Sequence, residues 1–96
     1  MSDTAQSSRR LTIKMGPTDD VAMALEQLRA GATVPVESAP GGPIVQVALI
    51  EDIPLGHKFA LRDIRAGERI IKYNMEIGTA LKDIPRGAWV GEHNLE

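Results

Sequence analysis

The sequence predicts a mostly β domain of short, bent strands with one short helix. Three observations carry that expectation. First, a short unit recurs: Ala60-Leu61-Arg62-Asp63-Ile64-Arg65-Ala66-Gly67-Glu68-Arg69-Ile70 aligns with Ala80-Leu81-Lys82-Asp83-Ile84-Pro85-Arg86-Gly87-Ala88-Trp89-Val90. The shared pattern is A-L-(K/R)-D-I-x-x-G-x-x-(I/V), and a weaker copy runs from Ala24 to Val34. Such recurrence marks one structural device used several times. Second, each copy reads as turn, glycine, strand. The middle aliphatic (Leu28, Ile64, Ile84) points inward. The preceding Asp63 or Asp83 bonds its own backbone two residues on. The glycine supplies the positive φ of a tight turn. Third, the segments outside the repeats alternate apolar and polar residues or are rich in β-branched ones, as strands do.

Taken in order, Met1 to Arg10 is Ser-rich, polar and without periodicity, and reads as a disordered tail. The domain proper is residues 11–96. Leu11 to Met15 alternates and predicts a half-buried strand, ended by Gly16-Pro17. Thr18-Asp19-Asp20 is a helix start, with Val21, Ala24, Leu25 and Leu28 at helical spacing and Gly31 as the stop. The competing reading leaves only one turn of helix there, because the segment also fits the repeat. Thr33 to Val36 is a short strand at an edge, since Pro35 has no amide hydrogen to donate. Ser38 to Pro43 is a loop. Ile44 to Ile50 is a strand with Val45, Val47 and Leu49 on one face. Ile53-Pro54 then enters the repeat region.

Composition excludes several classes. Ninety-six residues make one domain, and 43% hydrophobic content supports a small core. The chain has no cysteine. That removes disulfides, thiolate metal sites and a cysteine nucleophile, and suits the cytoplasm. No apolar run approaches the ~20 residues of a membrane span, so no membrane role is expected. Net charge is −2, which argues against a nucleic-acid surface. The charge is uneven: residues 1–52 are net −3 and residues 53–95 net +2. A mildly basic half suits a small anionic ligand.

If the repeats are architecture, chemistry lies where the chain departs from them. Ile53 to Asn94 holds both histidines and the chain's Phe59, Tyr73 and Trp89. Three departures stand out in it: Gly56-His57-Lys58, Lys72-Tyr73-Asn74 and His93-Asn94. A histidine can act as acid, base or ligand near neutral pH. Neighbouring strand side chains point to opposite faces, so His57 and Lys58 reach one ligand only from a loop. The plainer reading makes each histidine a surface group, each lysine a solvated charge, and Trp89 core. Two histidines alone are a weak metal signal, because a closed site needs three or four ligands.

The order Ile53-Pro54-x-Gly56-His57-Lys58, then Ile71-Lys72-Tyr73 and Ile77-Gly78, then Trp89-Val90-x-x-His93-Asn94 closely resembles the SAF domain of the altronate/galactarate dehydratase family. The resemblance reaches back to Pro17 to Leu25. It implies a β-clip (SAF-like) fold. It also implies the small subunit or N-terminal domain of a sugar-acid dehydratase, not active alone, assisting β-elimination of water from a 2-hydroxy acid to a 2-keto-3-deoxy acid. Most of the active site would lie on a large dehydratase subunit or C-terminal catalytic domain. Fe2+ or another divalent metal would be needed in the assembled enzyme. The alternatives are the small subunit of a sulfolactate sulfo-lyase-type enzyme, or a non-catalytic carbohydrate- or anion-binding β-clip module. On the matching positions, His57 and His93 are the expected catalytic residues, as proton carriers or possible metal ligands. Lys58, Lys72 and Asn94 are the expected binding residues for a small anionic sugar acid. Two positions depart from the family pattern. Asn74 stands where relatives usually have Gly, and Gly91 where many have a further His. Leu95-Glu96 reads either as native or as an added end.

Overall fold

The computed structural model describes residues 10–96, so the tail expected over Met1 to Arg10 lies, but for Arg10, outside the described residues. The described residues form eight short strands: β1 Thr12–Ile13, β2 Val21–Ala24, β3 Thr33–Glu37, β4 Ile44–Ala48, β5 Lys58–Ala60, β6 Arg69–Lys72, β7 Met75–Thr79 and β8 Trp89–Val90. They make one sheet of order β1-β2-β5-β8 and two hairpins, β3-β4 and β6-β7. All pairings are antiparallel. This is the mostly β architecture of short strands and tight turns that the sequence predicts.

The repeat is the frame, and it has four units among the described residues where the sequence reading found three. They centre on Leu28, Ile53, Ile64 and Ile84, and Leu28 bridges Ile53 as Ile64 bridges Ile84. In each unit the glycine three residues on has φ between 82 and 89° (Gly31, Gly56, Gly67, Gly87). The units lock in pairs through matching backbone bonds. Leu28 and Ile53 exchange two hydrogen bonds at 2.9 Å, and Ile64 and Ile84 two at 2.8 and 2.7 Å. Each turn glycine donates to the residue four before its partner's centre. Thus Gly31 N–H reaches Leu49 O, Gly56 reaches Ala24, Gly67 reaches Ala80 and Gly87 reaches Ala60, all at 2.8 Å.

The aspartates work across the pairs, which corrects the expectation that each bonds its own backbone. Asp83 Oδ1 accepts from Ala66 N–H and Asp63 Oδ1 from Arg86 N–H, each at 2.8 Å. Asp52 does the same for Ala30. The local bond was impossible for two of them: two residues after Asp52 and Asp83 stand Pro54 and Pro85, which have no N–H.

The four-stranded sheet divides two cores. Alternation sends Ala22, Ala24 and Phe59 to one cluster, with Leu28 and Ile53, and Val21, Ala60 and Val90 to the other, with Ile64 and Ile84. Each locked pair therefore carries its own core.

The helix expected from Thr18 is absent. Val21–Ala24 is instead strand β2, paired on both edges, and Leu28 to Gly31 is the first repeat unit. The acids that looked like helix-starting residues serve the tertiary structure. Asp19 Oδ2 accepts from Gly16 N–H at 2.9 Å and Asp20 Oδ2 from Ile71 N–H at 2.9 Å. Helix propensity is a weak preference that two-sided pairing overrides. Burial along Leu11 to Met15 does not follow the alternation throughout: Leu11 packs on the first core, but Thr12 is the buried residue, its hydroxyl donating to Pro35 O at 2.8 Å, and Met15 is exposed. Pro35 does lie on a two-stranded hairpin, opposite Gln46.

Candidate functional site

Two units depart from the repeat where β5 pairs with β8. His57 directly follows the turn glycine Gly56, a position held by Ala32, Glu68 and Ala88 in the other units. Trp89 follows Gly87 by two. The register Lys58↔Val90 and Phe59↔Trp89 sets His57 diagonally across from Trp89 on one sheet face. The two rings meet edge to face, centroids 5.3 Å apart, and Trp89 Nε1–H donates to His57 Nδ1 at 3.2 Å. Trp89's own backbone N–H is held by Glu51 Oε2 at 2.9 Å.

His93 also meets Trp89, its ring centroid 4.9 Å from that of the indole. A clamped turn brings it there. Asn94 is buried, and its side-chain amide is spent on that turn. Its Oδ1 accepts from Gly91 N–H at 2.9 Å and its Nδ2 donates to Trp89 O at 2.8 Å. Gly91 is the floor under the rings: a Cβ there would stand 3.3 Å from both His93 Nδ1 and Trp89 Nε1. The departure at Gly91 therefore gives the stack its room.

So the structure brings His57 and His93 each against Trp89, with Asn94 clamping the turn that carries His93. It separates the lysines. Lys58 lies opposite Met23 and Val90, on the other face of β5 from His57. Lys72 ends β6 in the β6-β7 hairpin, beside the Tyr73-Asn74 turn (φ 55 and 62°) that Asp19 holds through Asn74 N–H. Trp89 packs half-buried on the first core, as the sequence suggested, yet it is also the hub of the ring group. The signal for that role was its place two residues past a turn glycine, on the strand that pairs with the strand following His57. Seeing it required the β5-β8 pairing.

The hydrogen bond decides what His57 can do. Nδ1 faces an N–H donor and must be the acceptor, so in the neutral ring the proton sits on Nε2. His57 therefore offers a fixed N–H donor to the exterior. Neither ring nitrogen of His93 makes a hydrogen bond among the described residues.

These residues do not fit a metal centre of their own. A metal-bound histidine gives its second ring N–H to an acceptor, whereas His57 has a donor there. Among the described residues no group of three His, Asp or Glu converges. Nor is any helix long and apolar enough to cross a membrane.

Known proteins match this geometry's sequence. A family model for the altronate/galactarate dehydratase SAF domain matches residues 10–96. The chain is 44% identical over 82 residues to altronate dehydratase of Escherichia coli (strain K12), covering 85% of this chain and 15% of that protein. It is 44% identical over 82 residues to galactarate dehydratase (L-threo-forming) of the same organism, covering 83% and 14%. It is 46% identical over 45 residues to (2R)-sulfolactate sulfo-lyase subunit alpha of Paracoccus pantotrophus, covering 47% of this chain and 67% of that protein. The chain thus spans only 14–15% of the length of the two dehydratases.

Proposed function

We infer the function from one premise: the chain belongs to the altronate/galactarate dehydratase SAF domain family. It acts as an accessory component of a hydro-lyase, a small subunit or N-terminal domain working in the cytoplasm with a larger catalytic chain. The assembled enzyme removes water from a 2-hydroxy sugar acid to give a 2-keto-3-deoxy acid. The observation that carries this chain's part is the His57–Trp89–His93 stack, with its one fixed donor and its second histidine ring.

β-Elimination needs a base for the proton beside the carboxylate and donors for the oxygens that gain negative charge. His57 Nε2–H serves as such a donor, to the substrate carboxylate or to the leaving hydroxyl, and keeps its proton throughout. His93 is the proton carrier: it takes the proton from the carbon beside the carboxylate and passes it to the departing hydroxyl, so that water leaves. Asn94 positions His93 by clamping its turn. Lys58 and Lys72, set apart on this chain, hold the substrate's anionic group only within a site completed by the larger chain. The divalent metal that the family resemblance implies belongs to that chain.

A second reading, a sulfo-lyase-type small subunit, is supported by the subunit alpha match, which covers more of its relative than the dehydratase matches do. Turnover of the assembled enzyme tests both. His57→Ala lowers kcat by about 10²-fold, the usual effect of removing one preorganised donor. Unchanged turnover removes His57 from the mechanism. Release of sulfite from sulfolactate, with no dehydration of hexonates or hexarates, selects the second reading.

A further inference from the structure

A separate concavity lies at the far end of β5 from the ring stack. His57 and Leu61 flank β5 four residues apart, which is about 13 Å of extended chain. The concavity has a volume of about 150 Å³, room for roughly five waters or the bulk of a three- to four-carbon acid. Its floor is apolar, with Val36 and Val47 buried and Val45 and Leu61 beside them. Its rim is cationic, from Lys14 and Arg86.

Arg86 is held but not neutralised. Its Nε donates to Leu61 O at 3.1 Å and its Nη2 to Gln46 O at 3.2 Å. Both partners are carbonyls, and Arg86 forms no ion pair among the described residues. Lys14 likewise bonds only a carbonyl, Pro17 O at 3.0 Å. A guanidinium pinned by two carbonyls still presents its Nη1 hydrogens in a fixed direction, which suits an anion with planar oxygens. Two uncompensated cations above an apolar floor match a ligand that is charged at one end and aliphatic at the other.

We propose that this groove binds a small monocarboxylate with a short aliphatic body. The site is independent of the ring stack and of the function assigned to it. The test is a ¹H–¹⁵N NMR titration of the chain with acetate, propionate and butyrate at constant ionic strength, with butylammonium and inorganic phosphate as comparisons. The proposal expects saturable shifts at Lys14, Val36, Val47, Leu61 and Arg86. Affinity rises about fourfold for each added methylene, the effect of burying one CH₂. Butylammonium gives no such shifts, and phosphate binds more weakly than butyrate. Arg86→Gln weakens butyrate by roughly tenfold or more, and its backbone N–H still caps Asp63. Lys14→Gln, which removes only one exposed carbonyl contact, weakens it a few-fold and keeps the test open if Arg86→Gln unfolds. The proposal is overturned by the absence of saturable shifts at these residues, by affinity indifferent to chain length, by phosphate binding more tightly than butyrate, or by folded variants that bind as the parent does.

Discussion

Gly67→Ala and Gly87→Ala pose one backbone question in two surroundings. The two glycines hold equivalent places in paired units, with φ of 89 and 88°. An added Cβ costs roughly 1–2 kcal/mol at such an angle for any L-residue. At Gly67 that is the whole cost, because the new methyl meets nothing within 4 Å. At Gly87 it runs into the Ala48 carbonyl oxygen and comes within 3.3 Å of Leu49 Cα, all backbone. Relief means moving Ala48-Leu49. That strains the bonds of Leu49 N–H to Ala32 O and of Gly31 N–H to Leu49 O, both 2.8 Å. One or two such bonds add about 1 kcal/mol each, for a total of about 2–4 kcal/mol. Urea unfolding followed by circular dichroism measures both, provided the slope m is unchanged. In melting temperature, at about 4–8 °C per kcal/mol for a domain of this size, Gly67→Ala loses about 4–16 °C and Gly87→Ala about 8–32 °C. Equal losses in the two variants would refute the claim that the first pair of units presses its backbone on the turn of the second.

Further predictions concern the crossed caps, the charged network and the floor of the ring stack. Asp83→Ala costs about 1 kcal/mol, the usual value of one such bond, and hydrogen exchange speeds at Ala66, seventeen residues away. Exchange faster only around residue 83 would contradict the crossed arrangement. Glu68 titrates below its ordinary 4.5, held first by Arg65 N–H at 2.6 Å and then by Arg62. A depressed carboxyl stabilises the fold fully above its unfolded value and loses that contribution as pH falls through the folded one. Acid unfolding scans should therefore show an increment lost below about pH 4.5 in the parent and missing in Glu68→Gln. Gly91→Ala crowds His93 and Trp89 by a few tenths of an ångström, and the indole N–H resonance of Trp89 moves while the melting temperature changes little. An unmoved indole resonance would mean that Gly91 is not the floor.

The repeat was legible because its signals are local: an aspartate, an inward aliphatic and a glycine at fixed spacing. The unit at Ile53 was harder to see, since Phe59 replaces its final Ile or Val and Leu49 its opening Ala, while Asp52, Ile53 and Gly56 keep the spacing. The false helix arose because Thr18-Asp19-Asp20 carries helix-starting chemistry. Those acids serve partners more than fifty residues away, Ile71 and Asn74, which no local reading reaches. The candidate site shows the same division. His57 and His93 stood out as departures from the repeat. Trp89's link to them depends on a cross-strand diagonal, and Asn94's inward turn on the clamp at Gly91, and both are set by tertiary pairing.

The most direct measurement is long-range ¹H–¹⁵N NMR of the His57 ring at a pH where it is neutral, in the parent and in Trp89→Phe. The parent ring should carry its proton on Nε2, with Nδ1 unprotonated, and become a mixture of tautomers once the indole N–H is gone. A parent ring protonated on Nδ1, or a tautomer unchanged in Trp89→Phe, would contradict the fixed donor on which the proposed role of this chain rests.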